Sequence, residues 1–189
     1  MASCNSKWGT LFLLVGNSGS GKDSLIKWVL DHWPPTTPAP MVPTRVITRP
    51  PSPKTEAFES IPEDQFRKLS KAGAFSLQWK SYDILYGVNI EIEDALTRGQ
   101  SVLVNVSRQI VQETRKRFPN VLVIFVRVPF QITEARLRAR GREQGFDLEE
   151  RLERARQNQD FPTADHVVDN SGDLEFAGQQ LLEYLLKHS

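Results

Sequence analysis

Cysteine is nearly absent from this chain: Cys4 is the only one in 189 residues. A single thiol excludes a disulfide framework and a cysteine-based zinc site within one chain. No apolar run is long. "LFLLV", Leu11–Val15, stops at a glycine and is far too short for a membrane span or a signal-peptide core. Neither sign of charge is in excess, since 24 Lys+Arg against 23 Asp+Glu leave a formal net charge of +1. That balance argues against a general binder of nucleic acid or membrane surfaces, so neither is an expected partner, although a local basic cleft stays open. Histidine is scarce too. His32, His166 and His188 fall in ordinary helix or strand settings, so surface or core roles are expected of them. Internal repeats and low-complexity tails are also lacking, and a reducing cytoplasm is the simplest compartment for such a chain.

A chain of this length suggests one domain, with a core large enough to need no disulfide or structural metal. Its strongest signal is "GNSGSGK", Gly16–Lys22, which reads G-x-x-x-x-G-K between an apolar strand and a helix with Leu25, Ile26, Val29, Leu30 and Trp33 at helical spacing. Gly16, Gly19 and Gly21 permit backbone torsions that side chains forbid. Successive N–H groups and the positive end of the following helix make an anion nest, and Lys22 adds a charge that reaches outer phosphates. The motif normally continues with a hydroxyl residue that holds Mg²⁺. Here Asp23 follows, and the hydroxyl comes one place later at Ser24.

Beyond the loop, strands and helices alternate. Five prolines within Pro34–Pro43 forbid a helix or central strand there. Thr44–Thr48 is a strand candidate, "RPPSPKTEAFES" is irregular, and Ser60 three residues before Glu63 reads as a capping box. A strand pair over "FSLQWKSYDILYGV", a short helix at 91–98, the strand "SVLVNVS", a helix at 108–118, the strand Val121–Val128, helices at 132–140 and 148–158, the strand "ADHVVDN" and a closing helix at 174–187 complete the pattern. Such alternation implies an α/β fold with a parallel sheet covered on both faces and a ligand crevice at the C-terminal strand ends. The glycine loop, Arg49, Asn105 with Ser107, and Arg127 fall at those ends.

"TEARLRARGRE" carries Arg136, Arg138, Arg140 and Arg142, and Arg151 and Arg154 follow on the next helix. Alone, such a run reads as a solvated face paired with Glu134, Glu143, Glu149, Glu150 and Glu153. Beside a phosphate loop, with Gly141 and Gly145 interrupting it, a lid that brings two or three of these arginines to a phosphoryl group is the better reading. Arg45 and Arg49 flank the second strand candidate, and Arg49, before two prolines, is the better placed of the two to grip a second phosphate group.

Taken in order, "GNSGSGKDSLI", "RVITRP" with Glu56, "LYGV", "VLVNVSR", "RARGRE" and "VVDNSGDLE" resemble the guanylate-kinase-like group of P-loop kinases. Within it they are most similar to the ribose 1,5-bisphosphate phosphokinases of phosphonate breakdown. The resemblance implies a five-stranded parallel sheet with helices on both faces, a substrate-binding flap about 49–89 and an arginine-rich lid about 136–151. It further implies ATP and Mg²⁺, and a phosphorylated sugar as acceptor. Implied roles follow by position. Lys22, Arg140, Arg142 and Arg151 would be catalytic. Gly16, Asn17, Ser18, Gly19, Ser20, Gly21, Lys22, Asp23, Ser24, Arg136 and Asn170 would bind the nucleotide, with Ser24 and Asp23 as metal candidates. Arg45, Arg49, Glu56, Gln78, Tyr86, Asn105, Ser107 and Arg108 would bind the acceptor. By the resemblance, Ser52, Gln78 and Asn105 stand where guanylate kinases carry arginine, glutamate and aspartate. A site that reads a purine by hydrogen bonds loses its grip when its readers change, which argues against GMP as acceptor. A nucleoside monophosphate kinase with another base, and a non-catalytic guanylate-kinase-like binding module, are the alternatives.

Overall fold

Leu11–Val15 forms β1 with all five side chains buried, as a parallel strand packed on both faces requires. The computed structural model describes residues 8–50, 58–141 and 146–189. Glu56 and Arg142 therefore lie outside the described residues. After β1 come α1 (Lys22–Asp31), β2 (Arg45–Ile47), β3 (Phe58–Ser60), α2 (Glu63–Lys71), β4 (Phe75–Ser81), β5 (Ile84–Asn89) and α3 (Glu91–Thr97). Then follow β6 (Val102–Asn105), a 3-10 turn (Arg108–Ile110), α4 (Val111–Arg117), β7 (Val121–Arg127), α5 (Phe130–Arg140), α6 (Phe146–Gln157), β8 (His166–Asp169) and α7 (Leu174–His188).

One sheet has the order β6-β1-β7-β8, and a mixed sheet has the order β3-β2-β5-β4. The five-stranded parallel sheet that the resemblance implies is thus four-stranded among the described residues. The second candidate, Thr44–Thr48, supplies β2, which pairs parallel with β3 and antiparallel with β5 in the mixed sheet. Beside β6, Met41 makes only an isolated parallel bridge to Val102. Pro43, the next residue due to face β6, lacks the N–H donor that would lengthen this bridge into a strand.

Contacts divide the chain into two compact units. One comprises Leu13–Thr37 and Leu122–His188. In it, α7 packs on α1 so closely that a Cβ at Gly178 would lie 2.2 Å from the Trp28 ring. Glycine inside a helix costs about 1 kcal/mol, and here the close approach requires it. The other unit comprises the residues up to Phe12, Pro38–Val121 and Ser189. Its mixed sheet carries α2 on one face through Val46, Ile61, Phe66 and Phe75, with the Phe66 and Phe75 rings stacked at 4.6 Å. A bulge between Phe75 and Leu77 puts these two residues on opposite faces, so both are buried. The tight β4–β5 turn places Tyr82 and Asp83 at positive φ (51° and 58°), and Asp83 pairs with Lys80 at 2.6 Å.

Two local expectations gave way to tertiary contacts. Ser60 caps no helix: the residue before α2 is Pro62, and the Ser60 hydroxyl donates to the Arg49 carbonyl at 2.7 Å. Part of the stretch read as irregular is β3, whose ladder comes from β2 rather than from its own residue preferences.

Candidate active site

The loop after β1 is built so that two of its glycines admit no substitute. A Cβ at Gly16 would meet Ser20 Oγ and the Val126 carbonyl oxygen at 2.8 Å each. At Gly21, with φ of 85°, a Cβ would come within 2.4 Å of Asn170 Nδ2. That amide nitrogen donates to the Ser20 carbonyl at 2.8 Å, and the Asn170 backbone N–H donates to the Arg127 carbonyl at 3.0 Å. Asn170 is buried, so the residue after β8 clamps the loop from beneath. Lys22 Nζ donates to the Gly16 and Asn17 carbonyls at 2.9 Å each and to Ser20 Oγ at 3.3 Å. Its ammonium group is thereby held over the loop backbone by oxygen acceptors that a phosphate oxygen can replace.

The arginines separate into distinct settings. Arg151, on α6, is 8% exposed and donates from Nη1 to Ser18 Oγ at 3.0 Å. Arg136, on α5, lies beside Gly21 and has its Nη1 buried with no hydrogen-bond partner among the described residues. Arg138 turns outward to Glu134 at 2.8 Å and Glu149 at 3.9 Å, the solvated arrangement expected of a charge run. Arg140 and Arg154 are exposed. Asn17 Nδ2 reaches the C-terminal end of α6, donating to the carbonyl of Asn158, just past the helix, at 2.9 Å and to that of Ala155, in its last turn, at 3.3 Å. The sequence carries no signal for that contact, which joins residues far apart along the chain.

In the first turn of α1, Asp23 is half-buried and Ser24 exposed. No group of three His, Cys, Asp or Glu side chains that could hold a metal exists among the described residues. Asp169, at the end of β8, pairs with Arg127 at 3.3 Å. A hydrogen bond from the Ser171 side chain, more than this arginine, holds the Asp169 carboxyl below its usual pKa.

In the other unit, strand register decides which acceptor candidates meet. Arg45 pairs with Val88 and Ile47 with Tyr86, so Arg45 and Tyr86 share one face of the mixed sheet. Tyr86 stacks on Trp79 with centroids 5.1 Å apart, and Arg45 Nη1 reaches the Asn105 carbonyl at 3.5 Å. Asn105 itself is buried. Gln78 pairs with Gly87, on the opposite face with α2, where it is exposed and accepts from Ser70 Oγ at 2.7 Å. The structure therefore does not bring Gln78 to Tyr86 and Arg45. Arg49 follows β2, its guanidinium 4.7 Å from the Phe58 ring centroid. Ser107 precedes the 3-10 turn that Arg108 opens.

The guanylate kinase family model matches residues 9–188. The chain belongs to that family. It is 41% identical to the ribose 1,5-bisphosphate phosphokinase PhnN of Pseudomonas fluorescens (strain SBW25), over 92% of this chain and 93% of that protein. It is 38% identical to the PhnN protein of Janthinobacterium sp. (strain Marseille), over 94% of this chain but spanning 39% of that protein's length. Among solved structures, the guanylate kinase of Anaplasma phagocytophilum superposes with a TM-score of 0.72 at 17% identity, covering 96% of this chain and 87% of the other. At that identity the likeness shows the fold alone. As a family member the chain has an α/β P-loop kinase fold, and no helix among its described residues is long and apolar enough to cross a membrane.

Proposed function

We propose that this chain is an ATP-dependent phosphotransferase that moves the γ-phosphoryl group to the 1-phosphate of ribose 1,5-bisphosphate, giving 5-phosphoribosyl 1-diphosphate and ADP. The observation that carries the reading is the 41% identity over 92% of the chain to a protein named for that activity. Gly16, Gly21 and Lys22 are all present, which disfavours a module that only binds.

An acceptor phosphate oxygen is already anionic near neutral pH. It attacks the γ-phosphorus as the bond to the ADP oxygen breaks, and no side chain has to remove a proton. Positioning and charge neutralisation then carry the catalysis. In this reading the loop from Gly16 to Ser24 cradles the ATP phosphates. Lys22 exchanges its loop oxygens for phosphate oxygens, and Arg151 supplies positive charge from Ser18's side of the loop. Arg140 and Arg142 are further catalytic candidates on a lid about 136–151, while Arg136 and Asn170 face the nucleotide. Arg45, Asn105, Ser107 and Arg108 bind the acceptor together with Arg49, Glu56 and Tyr86 of a flap about 49–89. Mg²⁺ fits this residue set. It keeps several waters and binds through one or two protein oxygens plus substrate phosphates, so Asp23 and Ser24 suffice without a carboxylate cage. When bound, the ion neutralises charge shared between neighbouring phosphates.

The test offers ribose 1,5-bisphosphate, ribose 5-phosphate, GMP, AMP and UMP in parallel with ATP and Mg²⁺. Fastest turnover of the sugar bisphosphate is expected. Faster turnover of a nucleotide would overturn the reading in favour of a nucleoside monophosphate kinase, and no turnover at all would favour a binding module.

A further inference from the structure

Asn17 touches the supports of two cations at once. Its backbone carbonyl accepts from Lys22 Nζ at 2.9 Å. Its side-chain amide donates to the Asn158 and Ala155 carbonyls at 2.9 and 3.3 Å. Ala155 lies four residues after Arg151, so the two share one face of α6, and both are buried. That face also delivers Arg151 to Ser18, the residue next to Asn17. The last carbonyls of a helix lack partners within it and form the negative end of its dipole. An amide N–H is drawn to them, and a carboxylate is repelled.

We infer that Asn17 is a positioning residue for phosphoryl transfer: its side-chain amide, by gripping the last turn of α6, keeps Arg151 against the phosphate loop. The inference rests on the loop being the donor-phosphate site. A plain capping role would stabilise α6 without touching turnover. A positioning role makes Asn17 and Arg151 act as one device, and its loss falls on kcat rather than on acceptor KM.

The experiment compares the full chain with Asn17→Ala, Asn17→Asp, Arg151→Ala and the double variant Asn17→Ala/Arg151→Ala. Arg151→Lys takes the place of Arg151→Ala in both if the alanine variant fails to fold. Steady-state kinetics with ATP and ribose 1,5-bisphosphate are read beside amide hydrogen exchange over α6 in the absence of substrate. Asn17→Ala should lower kcat about tenfold, the loss of one or two hydrogen bonds, with acceptor KM within about twofold. Asn17→Asp keeps the shape but turns a donor into a repelled acceptor, so it should lower kcat further. The double variant should be no slower than the Arg151 variant alone, and α6 should exchange faster in both Asn17 variants. Multiplying effects in the double variant, or an unchanged kcat with lowered thermal stability, would overturn the inference. If the wild-type chain transfers phosphate to no acceptor, the functional reading fails separately. The exchange arm still tests the tether, because unchanged α6 exchange in Asn17→Ala removes it.

Discussion

Lys22 and Arg151 are held by oxygen atoms of the loop they serve, whereas Arg45 reaches a distant carbonyl on another strand and Arg49 lies over an aromatic ring. The loop cations belong to a region bolted together from several elements. Asn170 comes from the end of β8, Arg151 from α6, and Gly16 and Gly21 leave no room for a Cβ. Arg45 and Arg49 sit on a three-residue strand and the segment just beyond it. Charge preorganised around the transferred group acts in the transition state, whereas charge that grips the acceptor acts in the ground state as well. Loop substitutions should therefore reduce kcat, and β2 substitutions should raise acceptor KM.

The largest effect tests the first half. Lys22→Ala should lower kcat by about a thousandfold or more, in the range seen when a preorganised transition-state charge is removed. Far-UV circular dichroism should show the fold intact, since the Lys22 ammonium donates to oxygens of its own loop, the Gly16 and Asn17 carbonyls and Ser20 Oγ. Full activity in this variant would mean that the loop is not a catalytic phosphate site. Arg49→Ala tests the second half. Acceptor KM should rise about tenfold or more, the value of one charge-assisted hydrogen bond, while ATP KM stays within about twofold. Equal effects on both substrates would erase the distinction between the two regions.

The same comparison explains what could be read from the sequence. Glycines forced by backbone approach, a lysine after them, and an apolar run before them are local facts, so β1, the loop and α1 were legible almost to the residue. The acceptor side depends on pairing. Alternation assigns Gln78 a face only after its partner strand is known. The bulge at Phe75 and Leu77 shifts the register of β4 just before it. β3 has no propensity signal of its own and exists because β2 offers it a ladder. Proline placement alone did not reveal that the fifth strand would shrink to the Met41 bridge. Among the arginines, Arg136 and Arg138 are chemically identical two residues apart. Only helix phase relative to the loop makes one a neighbour of Gly21 and the other a partner of Glu134.

Asp23 sharpens the loop's half of the comparison. A carboxylate in the first turn of α1 is favoured by the helix dipole by about 0.3–1 kcal/mol whatever else it does. It is also less exposed than Ser24 beside it. Asp23→Ser should raise the Mg²⁺ concentration needed for half-maximal rate severalfold, which kinetic titration with Mg²⁺ reads directly. An unchanged Mg²⁺ requirement with a small loss of thermal stability would leave Asp23 with the dipole role alone.

Acidification gives the smallest effect, and it too should separate the two units. His166, on β8, has its pKa lowered by burial and then by the positive charge of His188, and it stacks on Tyr184 at 4.1 Å. A histidine whose folded pKa lies below its unfolded value binds fewer protons when folded. Its contribution to stability is intact above the ordinary value near 6.5 and drains away as pH falls below it. Asp169, on the same strand, has a depressed pKa chiefly through the Ser171 side chain, so its contribution is lost only at lower pH, below the ordinary carboxylate range. In the other unit Asp83, fully exposed on the β4–β5 turn, has its pKa lowered by the hydrogen bond from Lys80 and contributes almost nothing. Hydrogen exchange compared between pH 7 and pH 5, corrected for intrinsic rates, should therefore show protection falling in β8 and α7 before it falls in β2 and β5. His166→Phe, which keeps a ring against Tyr184 but cannot take up a proton, should remove most of that difference. If both units lose protection together in the wild-type chain, the acid response lies elsewhere. If they separate, Asn170 links the response to function: it follows β8 directly and holds the Ser20 carbonyl, so a loosened β8 reaches the phosphate loop.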